Sequence, residues 1–356
     1  MNRRLLATFL LLLSMISSSW CEKSCQTCAP LTPEECPLIN ECNICTETTF
    51  TRRQNRNGCQ EVTISCASGS RVILELSNGH SVSRKAATLG SFSCQSNGRW
   101  QLNGLNYTEK NVKSASCYTA SPDRQNSPIN LVTQRAIRDL DLIDFTINYA
   151  PNDGDSISWG GNATTFTIKS RAPYTNSKFS ATQTDGVTYN LYQMHAHWSH
   201  LGANGSEHTV DGQRYVAEFH FVHFDPEYGT FDNAVGKENG IAVIAVLAEL
   251  GKRNAEFDKI LNAIKKGDAQ DSVAGAHTVN GVNFNYRKLI PGRSQFFTYT
   301  GSLTTGDYNT CVDWTVMRYP ITVSVQQMSI LYSFHIDNHR ENQSVLPGTI
   351  IRKNFA

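Results

Sequence analysis

The sequence predicts a mainly β protein of the α+β class with a small disulfide-rich module ahead of it. Three observations carry that reading. Ten of the 11 cysteines fall between Cys21 and Cys117, leaving Cys311 alone in the remainder of the 356 residues. Beyond that cluster, alternating strand-like runs at 144–149, 165–168 and 215–224 are separated by Gly and Asn turns. Residues 255–266 show helical periodicity, with Phe257, Ile260, Leu261 and Ile264 on one apolar stripe. A composition of 40% apolar and 18% charged residues belongs to a folded chain. Because 32 Lys and Arg residues oppose 31 Asp and Glu residues, the net charge is +1, and no long-range field gathers nucleic acid or anionic membranes.

Taken in order, residues 1–19 have the pattern of a secretory signal peptide: Arg3 and Arg4, an apolar run over 5–16, then Ser17, Ser18 and Ser19. That run is shorter than the ~20 residues a spanning helix needs, and no later segment is long and apolar enough, so no membrane span is expected. Secretion to the extracellular space follows, and in that oxidising compartment residues 20–117 are expected to form a cysteine-rich module closed by disulfides. A segment of this size buries too little apolar surface to offset chain entropy unaided. The pairs Cys25/Cys28 and Cys42/Cys45 also have zinc-ribbon spacing, the reading a cytosolic chain would favour. Cleavage after Ser19 leaves an even set of ten cysteines whose pairing the sequence does not choose. The polar, proline-punctuated stretch 120–128 places a boundary near 118, with a second domain over 118–356. The sequons at Asn106, Asn162, Asn204 and Asn342 are glycosylation candidates in a secreted chain.

The densest chemistry lies between Gln193 and Asp225. Alternation along 192–198 puts Gln193, His195 and His197 on one strand face, and alternation along 215–223 puts Glu218 and His220 together on another. If the two strands are neighbours, three imidazoles converge, as in a catalytic zinc site with an open fourth position. Gln193 and Glu218 each stand two residues before a histidine, where an acceptor fixes ring orientation and tautomer. His223 falls on the opposite face and, with His208, is read as structural.

Met194-His195-Ala196-His197-Trp198, Gly205-Ser206-Glu207-His208-Thr209-Val210-Asp211-Gly212 and Glu218-Phe219-His220-Phe221-Val222-His223 together resemble the signature of the α-class carbonic anhydrases. Asn126-Ser127-Pro128-Ile129-Asn130 resembles that family's opening motif, Gly301-Ser302-Leu303-Thr304-Thr305 its second signature, and Asn338-His339-Arg340 also has a counterpart. The resemblance covers about residues 120–356. It implies a large central, mostly antiparallel twisted sheet with short peripheral helices. It also implies a zinc lyase, a carbonate dehydratase that reversibly hydrates CO₂ to bicarbonate and a proton by attack of zinc-bound hydroxide. Zn²⁺ is the implied cofactor, held by His195, His197 and His220 with Gln193 and Glu218 behind them. Thr304 and Glu207 are the implied catalytic pair, Thr304 taking a hydrogen bond from hydroxide and giving its own proton to Glu207. Val222, Val243, Leu303, Thr305, Val312 and Trp314 are the implied CO₂ pocket. The cysteine-rich segment lies outside this match and resembles extracellular modules found in nematodes.

Three departures accompany the resemblance. Residues 159–165 lack the family's usual proton-shuttle histidine, Thr164 standing in its place, so slow proton transfer is expected; His200 is a candidate substitute. Gly306-Asp307 replaces a proline pair at the cavity rim. An aromatic-rich stretch is missing before Arg124, and Cys311 is read as a buried free thiol rather than a partner for the N-terminal region. The competing reading is a catalytically weak or silent carbonic-anhydrase-like matrix protein that binds an extracellular protein partner through residues 21–117. A zinc peptidase is not supported, because no His-Glu-x-x-His motif occurs.

Overall fold

A computed structural model describes residues 43–356, apart from 46–47, 55–59, 67–70, 78–80, 86–88, 96–99, 103–111, 121–124, 143–144, 161–164, 182–186, 201–203, 271–275 and 347–348. The signal-peptide reading, Asn106, Asn162 and Thr164 fall outside the described residues. Two compact units emerge, the first from the chain up to Ala120 with Asp139–Asp141, the second from Ser121–Arg138 with Leu142–Ala356.

In the first unit, period-two burial builds strands: Val62 and Ile64 are buried in Gln60–Ser65 while their neighbours face outward. The unit's strands are β1 (Asn43–Cys45), β2 (Thr49–Gln54), β3 (Gln60–Ser65), β4 (Arg71–Leu76), β5 (Ser81–Lys85), β6 (Phe92–Cys94), β7 (Trp100–Leu102) and β8 (Val112–Ala120). β4 pairs antiparallel with both β5 and β8. Val62, Val72, Leu74, Phe92, Trp100 and Leu102 share one apolar cluster. Alternating strands thus bury an apolar core here, beside the cross-linking that the cysteines lead one to expect. The Cys66–Cys117 disulfide closes a loop across 51 positions, a constraint of about 4 kcal/mol in the chain-entropy account. Buried Arg71 pairs with Asp139 and donates from Nε to Ser83 Oγ at 3.1 Å, which satisfies a guanidinium that would otherwise be costly to bury.

The second unit is built on a mixed, mostly antiparallel sheet. At its centre β15 (Thr188–Trp198) pairs antiparallel with β17 (Ala217–Phe224), and β17 with β18 (Ile241–Leu250). β18 then runs parallel to β21 (Thr310–Met317), which pairs antiparallel with β20 (Phe296–Ser302). On the other side, β15 pairs with β13 (Thr167–Ser170) and β14 (Lys178–Ala181), and β13 leads to β12 (Gly154–Gly160) and β19 (Ala276–Phe284). The strands expected at 144–149 and 165–168 form as β11 (Phe145–Asn148) and as β13, each trimmed or shifted to the residues whose partners complete a ladder.

Every residue of β17 is buried, since both faces of the sheet are covered. Phe219 and Phe221 share one apolar cluster with Phe257, Ile260, Leu261 and Ile264 of α2 (Ala255–Gln270), a helix that follows the short α1 (Phe231–Ala234). That helix starts where the sequence predicts and runs four residues past the predicted 266; Asn254 caps it, its Oδ1 accepting from the amides of Glu256 and Phe257 at 3.0 and 3.2 Å. The opposite face carries Val222, Val243, Val312 and Trp314 in a second cluster. A buried phenylalanine contributes about 2 kcal/mol from apolar area alone, so one face anchors the sheet while the other is free to hold polar chemistry. Among the described residues, no helix is long and apolar enough to cross a membrane.

Candidate metal centre and active site

Antiparallel pairing of β15 with β17 sets His195 directly opposite His220 and His197 opposite Glu218. Opposed residues share a face, so the two alternating patterns add. The ring centroids are 5.0 Å apart for His195 and His197, 5.2 Å for His195 and His220, and 4.7 Å for His197 and His220. One ring nitrogen of each lies within 4.8 Å of the others.

The remaining nitrogens are tied down. His195 Nδ1 donates to Gln193 Oε1 at 3.1 Å, His197 Nδ1 to the backbone oxygen of Asn338 at 2.9 Å, and His220 Nε2 to Glu218 Oε1 at 2.8 Å. Each acceptor lacks a proton to give, so each bond leaves a lone pair on the inward nitrogen. His197 Nε2 is buried with no hydrogen-bond partner, an arrangement that costs free energy unless something occupies the space before it. Burial pulls His197 down to about 4 and lowers His195 and His220 as well, with repulsion from neighbouring imidazoles adding to the effect on both. All three rings are neutral at pH 7. Convergent lone pairs, fixed tautomers and an orphaned buried nitrogen fit a divalent ion that takes imidazole ligands and keeps one position open.

Glu218 is the hub behind these rings. Its Oε2 accepts from the amides of Glu207 and His208 at 2.9 and 2.7 Å, while Oε1 accepts from His208 Nδ1 at 2.7 Å besides His220. Burial pushes this carboxyl up, but the charge and hydrogen bonds of His208 and His220 more than offset it, holding Glu218 well below the usual carboxylate range. His208 in turn accepts at Nε2 from Tyr299 Oη at 2.7 Å, and Tyr299 meets Ser127 Oγ at 2.7 Å. A proton-ordered chain therefore runs from Ser127 to His220 through buried groups only.

Glu207 is fully buried on the turn after β15. Gly205 allows this turn, because a Cβ there would lie 2.3 Å from the Ser199 nitrogen. Burial pushes the Glu207 carboxyl up to about 7, against the pull of nearby His220 and of hydrogen bonds from the Thr304 hydroxyl and the Arg340 amide. Thr304, itself buried, follows the end of β20 and lies within hydrogen-bonding reach of Glu207. Val222 faces Val243 across the β17–β18 pair and Val243 faces Trp314 across β18–β21. The Trp314 ring lies 4.9 Å from His220, and Leu303 packs against the same cluster. Thr305, the next residue, is exposed.

Residues 109–355 match the family described as eukaryotic-type carbonic anhydrase. This chain belongs to the eukaryotic-type carbonic anhydrase family. Carbonic anhydrase 3 from Sus scrofa is 32% identical over 230 residues, covering 65% of this chain and 85% of the relative. The Equus caballus protein of that name is 33% identical over the same length and coverage, and the Homo sapiens one 33% identical over 221 residues, covering 62% of this chain and 81% of its own.

Several groups of this carbonic anhydrase site escape a reading by periodicity. His208, read from the sequence as structural, is buried between Glu218 and Tyr299 and completes the chain behind Glu218. The acceptor for His197 is a backbone oxygen 141 residues away, and no side-chain spacing can announce a carbonyl. Asn338 also accepts from the Trp198 amide at Oδ1, 2.7 Å away, which fastens the end of β15. His223 faces away from the cluster, between Tyr149 Oη at 2.6 Å and the Ala242 oxygen at 3.1 Å. The His200 ring lies 6.1 Å from that of His335. Cys311 is buried in β21. Asn204 is exposed, whereas Asn342 donates from Nδ2 to the Glu207 oxygen and accepts from Thr209, each at 2.7 Å.

Proposed function

We propose that this chain is a secreted zinc enzyme that interconverts CO₂ and bicarbonate. The observation that carries the reading is the trio of neutral imidazoles, with the orphaned His197 Nε2 among them, set beside the Thr304–Glu207 pair. Zn²⁺ held by His195, His197 and His220 supplies the Lewis acidity that makes water a nucleophile at neutral pH, the chemistry for which carbonic anhydrases are themselves the type case. Everything else is done by the chain.

Gln193, Glu218 and the Asn338 carbonyl keep the three lone pairs aimed inward. A divalent cation held among the neutral rings would favour ionised Glu207, which then only accepts. Thr304 must give its proton to Glu207, and its oxygen is left as an acceptor. Only a species that carries a proton is held there, so the attacking oxygen is oriented and an aprotic anion finds no partner. Val222, Val243, Val312, Trp314 and Leu303 offer a dry wall suited to a small neutral gas. No long-range field is needed to collect such a substrate, in keeping with the net charge of +1.

With no histidine in 159–165, proton release to buffer limits turnover, and added imidazole raises the maximal rate. The sequence of residues 1–19 and the Cys66–Cys117 bond support secretion, and residues 21–117 are assigned to contact with an extracellular protein. Zinc analysis with stopped-flow CO₂ hydration, with His195→Ala as control, tests the reading. A zinc-loaded parent protein without activity, or a His195→Ala variant as active as the parent, rejects it.

A further inference from the structure

Tyr308 is 43% exposed and adopts φ 54°, a left-handed conformation that costs a non-glycine residue free energy. It ends the turn that starts at Thr304. The Leu303 amide donates to the Asn309 oxygen at 2.8 Å and closes the base of this turn, and the Tyr308 amide donates to the Thr305 oxygen at 3.4 Å. Gly306 at φ 65° makes the reversal, and residues 305–308 are all exposed. These two backbone bonds close the turn, and the Tyr308 side chain adds an anchor outside it.

The Tyr308 ring is covered by Arg340, whose guanidinium carbon lies 3.7 Å from the ring centroid. Arg340 is held twice more: its amide donates to Glu207 Oε1 at 2.9 Å, and its Nη1 donates to the Ser127 oxygen at 2.7 Å. One residue thus touches the Glu207 carboxylate, the Ser127 backbone and the far end of the Thr304 turn. We propose that Tyr308 and Arg340 form a clamp that positions Thr304 against Glu207, and that this exposed stack is a device for transition-state alignment rather than for stability. The inference rests on the functional reading of Thr304 and Glu207.

A hydroxyl displaced by less than 1 Å loses much of its orienting effect, so the turn must be fixed from outside the cavity. The clamp acts on the hydration step and not on proton export. Tyr308→Ala therefore lowers kcat/KM for CO₂ by about fivefold, which is about 1 kcal/mol and the scale of a half-exposed cation–π contact. At low buffer, where proton release limits, kcat is unchanged. Tyr308→Phe and Tyr308→Trp keep a ring face and retain the parent kcat/KM. Arg340→Met lowers kcat/KM by a similar factor, and combining it with Tyr308→Ala adds no further loss. Zinc content and the thermal midpoint, measured on each variant, report site occupancy and folding separately.

Parent-like kcat/KM in Tyr308→Ala overturns the clamp while leaving the CO₂ reading intact. Equal losses in kcat and kcat/KM that Phe does not restore also overturn it, since they signal a smaller folded fraction. A zinc-loaded parent without activity removes both proposals together.

Discussion

Replacing Glu218 with glutamine preserves volume and removes one charge from the centre of the network. The carboxylate accepts four hydrogen bonds at 2.7–2.9 Å from Glu207, His208 and His220. A glutamine can turn its oxygen toward the two imidazoles or toward the two amides, and its NH₂ then confronts a pair of donors. Two charge-assisted bonds are lost in either orientation, at about 1.5–3 kcal/mol each, so the expected destabilisation is about 3–6 kcal/mol, close to the ~3–5 kcal/mol for breaking a buried charged pair. If His220 answers by moving its proton from Nε2 to Nδ1, it surrenders the lone pair that faces the cluster, and zinc affinity falls about 10- to 100-fold. Urea unfolding at pH 7 and competition with a zinc chelator measure the two effects. Because Glu218 is held below the ordinary carboxylate range, its contribution is full above that range and disappears as the pH falls beneath it. The stability gap between parent and variant should therefore close in acid. A loss below about 1 kcal/mol with unchanged zinc affinity would refute the hub.

Three further outcomes follow from individual contacts. Burial pulls His223 down to about 3, so the folded state excludes a proton that the unfolded chain binds below the ordinary histidine value of 6.5. Stability then declines by roughly 1.4 kcal/mol per unit as the pH falls from that value toward the folded one; His223→Gln should flatten the slope of urea midpoints between pH 7 and pH 5, and parallel slopes would count against the assignment. Asn338→Ala removes the acceptor of the Trp198 amide and the donor that reaches the Ala196 oxygen at 3.2 Å, a cost of about 1–3 kcal/mol readable in the same titration. In protein from a secretory host, peptide mapping should find glycan on exposed Asn204 and none on Asn342, whose Nδ2 is committed beside buried Glu207; a glycosylated Asn342 in folded, active protein would contradict this.

The legible part of the site is the part written in alternation. Gln193, His195 and His197 share a strand face because Cβ atoms alternate, and Glu218 and His220 do so for the same reason. The stripe of Phe257, Ile260, Leu261 and Ile264 is legible because a helix repeats every 3.6 residues. Strand ends are less so: residues 165–168 alternate, yet the ladder runs over Thr167–Ser170, where Thr167, Ile168 and Lys169 meet His195, Met194 and Gln193. Thr304 and Glu207 are legible through the family resemblance alone, because nothing in the periodicity of either segment points to the other. In the first unit the cysteine count announces cross-links, while the Val62, Val72 and Phe92 core depends on which strands become neighbours.

Residues that can share a face, histidines with acceptors two positions behind them and the division of the chain by its cysteines are all written in the order of amino acids. Those are properties of a backbone with a two-residue or 3.6-residue repeat, and they need no partner. It takes the folded chain to set β15 beside β17 with His195 opposite His220, to bring a carbonyl from Asn338 to His197, and to join Glu207 to Tyr308 through Arg340. Buried polar groups must find partners wherever the fold places them. The partner is selected by position in space, and separation along the chain records nothing of it.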